Sequence, residues 1–274
     1  MTVVPEAVPA PIPPPALSGH VRPAEGLRQT VTLAWRTIVQ VRHNPFEMLD
    51  FTIQPIMFVL LFTYVFGGAI AGSTGEYLTF ALPGIIVMNG LFVTLYVGMG
   101  LNLDVTKGVF DRLRSLPIAR WAPLAGRISA DLLKQTWSYV LLLGVGYALG
   151  FRVETNLLSV LGAVALLLTF VLAFSWVAVL VGMVASGPEQ VQVFGFTALF
   201  PITFVSNVFA PADTMPGWLQ AFVEVNPVTN LADATRGLLV GGPVTEPALT
   251  TLAWAAGIAV VFAPLAVRAL RRRV

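Results

Sequence analysis

The sequence predicts an all-α integral membrane protein with six transmembrane helices. The chain has 274 residues, of which 56% are hydrophobic and 11% are charged, and its mean hydropathy is +0.80. Soluble domains are typically about 45–50% apolar and about 25% charged. Six apolar stretches also approach the roughly 20 residues that a helix needs to cross a bilayer. Together these observations argue against an ordinary soluble globular domain.

The chain begins with a proline-rich arm, residues 1–24, that has neither a basic start nor an apolar run. It is therefore not expected to be a secretory signal, and its composition is typical of a disordered or polyproline segment. Residues 25–48 form a connecting segment, in which 25–42 show helical periodicity. This pattern predicts an amphipathic helix lying in the membrane interface. The residues of its apolar face are Leu27, Val31, Ala34, Trp35 and Ile38.

The remaining residues, 49–274, are predicted to form one transmembrane domain. Each candidate span is an apolar run with few ionisable side chains, because a charge in the middle of a bilayer costs at least about 2.5–3.5 kcal/mol. The six spans are 51–70, 77–101, 132–150, 157–184, 191–208 and 249–270.

The basic residues give an orientation. Of the 16 lysines and arginines, 14 fall before the first span, between the second and third spans or at the start of the third, or at the C-terminal end. Cytoplasmic loops of membrane proteins are enriched in these residues. Both termini are therefore expected in the cytoplasm, and residues 213–246 are expected outside.

Several functional classes lack their characteristic residues in this chain. The sequence contains no phosphate-binding GxxxxGK[ST] motif, no HExxH and no cysteine. No catalytic residue, metal site or cofactor is predicted, and the chain is not expected to be an enzyme. The net charge is only +2, and the basic residues lie beside apolar segments, which does not favour nucleic-acid binding. Asp131 and Lys134 are three residues apart and are expected to form a structural ion pair rather than a proton relay.

The loop between the second and third spans has a two-faced pattern. Read as a helix over 104–116, it places apolar residues at 105, 109, 113 and 116, and charged residues at 104, 107, 111 and 114. Pro117 would end that helix. A short amphipathic helix of this kind can dock on a soluble partner. The alternative is a solvated connecting loop, and periodicity alone does not decide between them.

Two stretches resemble a known family. Residues 108–121, GVFDRLRSLPIARW, and residues 226–242, NPVTNLADATRGLLVGG, are similar to segments of type-2 ABC exporter permeases, and within them of the daunorubicin-resistance drug-efflux subfamily. The resemblance implies a bacterial cell-membrane permease that pairs with a second permease chain, making twelve spans. It also implies two separate ABC ATPase subunits, which would carry ATP and Mg²⁺. The cargo would be hydrophobic or amphipathic compounds, drugs or lipids, moved out of the cytoplasm or inner leaflet.

The resemblance also implies roles for individual residues. The loop after the second span would be a coupling helix seated in a cleft of the ATPase. Its contact residues would be Val109, Phe110, Asp111, Arg112, Leu113, Arg114 and Leu116. This chain has Lys107 where related permeases often have an acidic residue.

The segment before the last span would form two short re-entrant helices that narrow the outer exit, an external gate. Its residues would be Trp218, Phe222, Asn226, Pro227, Asp233 and Arg236. Asn226–Pro227 is expected to break the chain, so that a second helix follows it. Asp233 and Arg236 are also spaced to pair on one helix face. The alternative is an ordinary folded extracellular loop.

A path for cargo is expected to be apolar and aromatic, because polar residues within the spans are few and phenylalanine is concentrated in the fifth span. The candidate residues are Asn89, Phe92, Phe200, Phe204 and Asn207. Packing against lipid is the alternative for each. Two other functions stay open: export of a polysaccharide or cell-envelope lipid, and ion-coupled transport. A buried, unpaired Asp131 would favour the second.

Overall fold

The computed structural model describes residues 23–42, 45–109 and 122–273, and within these ranges it contains helices and connecting turns but no strand. The proline-rich arm up to residue 22 and residues 110–121 of the loop lie outside the described residues. The helices are α1 (Pro23–Arg42), α2 (Pro45–Leu61), α3 (Gly67–Ala71), α4 (Thr74–Thr106), α5 (Ala122–Ala148), α6 (Leu157–Val184), α7 (Pro188–Phe204), α8 (Gly217–Val225), α9 (Pro227–Val240) and α10 (Thr245–Arg273). A π-helical segment, Phe62–Phe66, joins α2 to α3.

The prediction of an all-helical, multi-pass membrane protein is confirmed. Within the described ranges, four stretches are long and apolar enough to cross a membrane, and they coincide with the first, second, fourth and sixth predicted spans. They are Thr52–Ile70, Thr74–Thr106, Leu157–Val184 and Thr245–Leu270. The third and fifth predicted spans correspond to α5 and α7. Helix α5 begins ten residues earlier than predicted and carries charged residues in its first half, and α7 has only 17 residues.

Helix α4 is the centre of the bundle and packs against α2, α5, α6, α7 and α9. Its crossing with α6 is close, because small residues meet there. A Cβ added at Gly98 would lie 2.5 Å from the carbonyl oxygen of Ala178. Small residues allow membrane helices to approach backbone to backbone, which is how such helices gain packing contacts in lipid. Helix α10 packs along the other side of α6.

Helix α1 packs on α5, and this contact divides the predicted apolar face of α1. Thr30 and Ala34 are buried, whereas Leu27, Val31 and Trp35 are exposed. The prediction that Ala34 shares a face with Trp35 is therefore wrong. The physical reason is size: small side chains let α1 approach α5 closely, and the large apolar side chains remain on the outer surface.

The prediction of a continuous helix from residue 104 to residue 116 is also wrong at its start. Helix α4 continues through Thr106, and Lys107 caps it. Gly108 follows with φ of 64°, in the left-handed region where glycine commonly ends a helix. Asp104 and Val105 therefore belong to the long helix of the second span, and the loop begins after them.

The two short helices predicted before the last span are confirmed as α8 and α9. Asn226 lies between them and stabilises two helix ends. Its Oδ1 accepts a hydrogen bond from the Val228 amide at 2.9 Å, at the start of α9. Its Nδ2 donates to the carbonyl oxygens of Ile202 and Val205, at 2.7 and 2.6 Å, where α7 ends. Orphan carbonyl groups at a helix end need such partners.

Candidate functional site

A pocket lies between α2, α4 and α7. Its cavity volume is about 90 Å³. Its lining is mainly apolar and aromatic, and it is formed by residues of α4, α2 and α7. The lining residues are Gln54, Pro55, Phe58, Ile85, Met88, Asn89, Phe92, Val93, Tyr96, Phe196, Phe200 and Phe204.

The α7 wall is a row of stacked phenylalanines. Phe196, Phe200 and Phe204 are spaced four residues apart, so they share one face of the helix. The ring centroids of Phe196 and Phe200 are 5.4 Å apart, and those of Phe200 and Phe204 are 4.1 Å apart. Phe92 on α4 contacts the first ring of the row at 5.4 Å. The pocket therefore presents a continuous aromatic surface.

A second row of rings runs along α2 and the π-helical segment. Phe58, Phe62 and Phe66 are again spaced by four, and successive centroids lie 5.9 and 5.3 Å apart. Phe209 joins the two rows, because its ring stacks on Phe62 at 4.2 Å and lies 4.9 Å from Phe204. The aromatic surface thus continues from the pocket past the end of α7. π-Helical turns often occur at functional sites.

The pocket contains two side-chain amides among its apolar groups, Gln54 from α2 and Asn89 from α4. Asn89 is held in place from α5, where the Ser138 hydroxyl donates a hydrogen bond to Asn89 Oδ1 at 3.0 Å. Binding sites for organic molecules commonly combine apolar walls with a few such polar groups, which set orientation. The arrangement fits an apolar or amphipathic molecule better than a strongly ionic one.

Four of the five predicted path residues line this pocket: Asn89, Phe92, Phe200 and Phe204. The fifth, Asn207, does not. It lies beyond the end of α7, and its Nδ2 donates to Asp233 Oδ1 at 2.7 Å. Phe58 and Ser138 were not among the predicted path residues. The four-residue spacing of phenylalanine at 58, 62 and 66 was a usable signal for the first of these, whereas nothing in the sequence pairs Ser138 with Asn89.

A polar cluster around Arg236, here called the outer node, joins α9 to α4 and to the segment after α7. Arg236 Nη1 donates to Asp233 Oδ1 at 2.7 Å, so the predicted pairing of these two residues is confirmed. Nε donates to the Phe80 carbonyl at 2.9 Å, and Nη2 donates to the Asn207 carbonyl at 2.6 Å. The guanidinium also lies 4.0 Å from the centroid of the Phe80 ring. One side chain thus connects three elements.

The burial of the Arg236 guanidinium determines the electrostatics of the outer node. The Arg236 side chain is 14% exposed and that of Asp233 is 41% exposed. Burial lowers the pKa of the Arg236 guanidinium from its ordinary value, while the charge of Asp233 and its hydrogen bond raise that pKa. Arginine nevertheless stays charged at neutral pH. The carbonyl oxygens and the aromatic face therefore compensate for water that the guanidinium has lost.

The six predicted gate residues fall into three places. Asn226 and Pro227 form the junction of α8 and α9, and Asp233 and Arg236 belong to the outer node. Trp218 and Phe222, in contrast, are on the surface of α8, where Trp218 is 76% exposed. An exposed tryptophan and phenylalanine one turn apart leave an apolar face on this helix.

Ion pairs link charged side chains of α4 and α5 at the other end of the bundle. Arg127 Nη1 on α5 lies 2.5 Å from Asp104 Oδ2 on α4. Lys134 Nζ lies 2.7 Å from Asp131 Oδ1, which confirms the predicted pair. Of the predicted coupling residues only Val109 is described, and the other six lie within 110–121. In the described part of the chain, no group of three or more His, Asp or Glu side chains is placed to hold a metal ion.

Comparisons with known proteins agree with this architecture. Residues 28–240 match the family model described as ABC-2 type transporter. The chain is 40% identical over 259 residues to the daunorubicin resistance ABC transporter permease protein DrrB1 of Streptomyces coeruleorubidus, covering 94% of this chain and 92% of that protein. It is 29% identical over 251 residues, 87% of each chain, to the probable doxorubicin resistance permease DrrC of Mycobacterium tuberculosis. The chain therefore belongs to the ABC-2 type transporter family, as a membrane permease subunit.

Proposed function

We propose that this chain is the permease of an ATP-driven exporter that moves hydrophobic or amphipathic compounds, drugs or lipids, from the cytoplasm or inner leaflet. The observation that carries this proposal is the phenylalanine-walled pocket among the membrane helices of an ABC-2 permease. The names of its relatives, which are daunorubicin and doxorubicin resistance permeases, point to flat, amphipathic drugs as cargo.

The size of the pocket supports a dimer. Sites for drug-sized ligands are about 300–1,000 Å³, whereas this cavity is about 90 Å³. Its aromatic edge is also open, since Phe200 is 42% exposed. A second permease chain facing this edge would enlarge and close the site. We infer a homodimer with twelve spans and two ATPase subunits.

We infer six spans in each chain, with both termini in the cytoplasm of a bacterial cell. Helix α5 has 27 residues, which at 1.5 Å per residue gives about 40 Å. Helix α7 has 17 residues, or about 26 Å, close to the roughly 30 Å of a hydrocarbon core. The charged half of α5 would then lie at the cytoplasmic surface, as the positive-inside rule requires.

Energy would enter through the loop between α4 and α5, because the sequence has no phosphate-binding loop of its own. The residues proposed to contact the ATPase are 109–114 and 116. The ion pair of Asp104 with Arg127 supports this role. It joins the end of α4 to the start of α5, so a push on the loop would move both helices together. ATP and Mg²⁺ would bind to the partner subunit.

The outer node is proposed as the latch of an external gate. In the described state, Arg236 holds α9 against α4 and against the end of α7. Release of these hydrogen bonds would let α8 and α9 move away from the outer end of the aromatic surface. The exposed Trp218 and Phe222 of α8 would then provide an apolar lip along which cargo leaves.

The alternatives are less well supported. An ion-coupled carrier would need an unpaired acid in the membrane, and Asp131 is paired with Lys134. A continuous aromatic and polar lining across the pore would favour export of a polysaccharide or cell-envelope lipid. The lining of this pocket is aromatic, but its polar groups are few: the amides of Gln54 and Asn89 and the hydroxyl of Tyr96.

The proposal is tested by drug uptake into inverted membrane vesicles. The vesicles contain the permease with or without its partner ABC ATPase, and daunorubicin is the probe. We expect uptake that requires both proteins and ATP. Uptake that proceeds without the ATPase, or that collapses when only the proton gradient is removed, would contradict an ATP-driven exporter.

A further inference from the structure

The contact between Ser138 and Asn89 lies where α5 crosses α4. Ser138 is fully buried, and the only hydrogen bond of its hydroxyl among the described residues goes to Asn89 Oδ1, at 3.0 Å. Asn89 is only partly buried, because it also lines the pocket. The serine thus contacts the pocket through the asparagine without lining it.

The crossing itself is rigid. Gly90 follows Asn89, and the Tyr139 hydroxyl, next to Ser138, is packed so closely against it that a Cβ at this position would overlap with the hydroxyl. Tyr139 and Leu142 are both fully buried. Side chains packed in this way do not change rotamer freely. This packing keeps Ser138 beside Asn89.

This contact decides which group Asn89 offers to the pocket. An asparagine amide has one acceptor oxygen and one donor nitrogen. The hydrogen bond from Ser138 engages the oxygen. If the amide were flipped, Ser138 could accept from the nitrogen, but its own buried hydroxyl proton would lose its acceptor. The nitrogen is therefore the group left to donate. A donor in an otherwise apolar pocket discriminates between molecules, because an analogue without an acceptor leaves the donor unpaired. An analogue that leaves this donor unpaired is expected to bind with an affinity about tenfold lower.

We propose that Ser138 is a positioning residue of the cargo pocket, which orients Asn89 as a hydrogen-bond donor and so favours apolar molecules that carry a carbonyl oxygen. The inference rests on the proposed function of this pocket. It adds a residue from α5, and a chemical requirement for the cargo, that the lining alone does not give.

The test uses two flat probes of nearly equal size, 9-fluorenone, which carries one carbonyl group, and fluorene, which carries none. The readout is the concentration of each probe that half-maximally stimulates the ATPase of the reconstituted complex. For the wild type we expect fluorenone to act at about tenfold lower concentration than fluorene. In Ser138→Ala the advantage of fluorenone should largely disappear, while the value for fluorene stays unchanged. Asn89→Leu is a second variant, in which the advantage of fluorenone over fluorene should also largely disappear.

The matched control is Ser175→Ala. Ser175 is also a buried serine in a membrane helix, but it donates to the Val171 carbonyl of its own helix. This variant should keep the wild-type preference. Equal responses to the two probes in the wild type, or an unchanged preference in Ser138→Ala and Asn89→Leu, would overturn the inference alone. A wild-type complex that responds to neither probe would overturn the proposed pocket together with it.

Discussion

Replacing Arg236 with methionine removes the centre of the outer node while keeping an unbranched apolar side chain of similar length. Arg236→Met deletes three hydrogen bonds, to Asp233, to the Phe80 carbonyl and to the Asn207 carbonyl. Phe80 is 156 positions away in the chain. Two of the three hydrogen bonds, to the Phe80 and Asn207 carbonyls, join α9 to other elements, and we therefore expect a large loss of stability.

The magnitude follows from burial. A hydrogen bond to a charged group typically contributes about 1.5–3 kcal/mol. Asp233 is 41% exposed, so water can solvate its carboxylate in the variant. We therefore count only the two bonds from Arg236 to the Phe80 and Asn207 carbonyls, at the low end of that range, which gives about 3 kcal/mol in total. For a chain of this size, 1 kcal/mol corresponds to about 2–4 °C in Tm. The expected drop is therefore about 6–12 °C.

The assay is thermal unfolding of the purified permease in detergent, with Arg152→Met as the matched control. Arg152 also donates to backbone carbonyls and lies over an aromatic ring, but it is exposed. Among the described residues, its side chain donates to the carbonyls of Tyr147 and Phe151, which are close in the chain. Its replacement should change Tm by less than about 2 °C, as for most surface positions. If Arg236→Met lowers Tm no more than the control does, the node is not a latch and the gate argument fails.

Three further predictions concern the loop, the orientation and α8. Leu113→Asp should remove the ATPase from membranes while the permease remains inserted, because an apolar anchor at the centre of an interface typically contributes more than about 1–2 kcal/mol. The measurement is co-purification of the ATPase with the permease, and retention of the ATPase would mean that the loop is only a connector. Single cysteines at Arg112 and Asp213 should react with an impermeant maleimide in intact cells only at position 213, and the opposite pattern would reverse the orientation. Joint replacement of Trp218 and Phe222 with alanine should change the ATPase rate of an intact complex, and an unchanged rate would leave α8 as a passive surface loop.

Periodicity and hydropathy predicted the local part of the fold well. The apolar runs located the long helices, and the Asn226–Pro227 break located the boundary between α8 and α9. The spacing of Asp233 and Arg236 predicted their ion pair. Each of these features depends on residues within about one helical turn of each other, so a pattern along the chain contains the necessary information.

Contacts between distant helices could not be predicted in the same way. The Phe80 carbonyl is a backbone group, so no side-chain pattern marks it as the partner of Arg236. Asn207 was expected in the cargo path, because a polar residue in an apolar run often marks one. It lies instead at the outer node, since α7 ends at Phe204 and the chain turns towards α9.

The pocket depends both on local patterns, which the sequence predicts, and on contacts between distant helices, which it does not. The four-residue spacing of Phe196, Phe200 and Phe204 predicts an aromatic ridge on one helix, but not which helix faces it. The packing of α2 and α7 on α4 decides that, and it depends on close approaches such as the one at Gly98. Helix α4 also extends beyond residue 104, where the coupling helix was predicted to begin. The reason is that Gly108, and not the charge pattern, determines where α4 ends.

The most direct test of the cargo pocket is protection of a single introduced thiol. The chain has no cysteine, so labelling with N-ethylmaleimide reports only the introduced residue. Gln54→Cys places the thiol in the pocket. Met57→Cys places it one turn further along α2, on a side chain that is 59% exposed and does not line the pocket. Daunorubicin should slow labelling at position 54 and leave position 57 unchanged. Equal labelling rates with and without the drug at position 54, or equal protection at both positions, would contradict binding in this pocket.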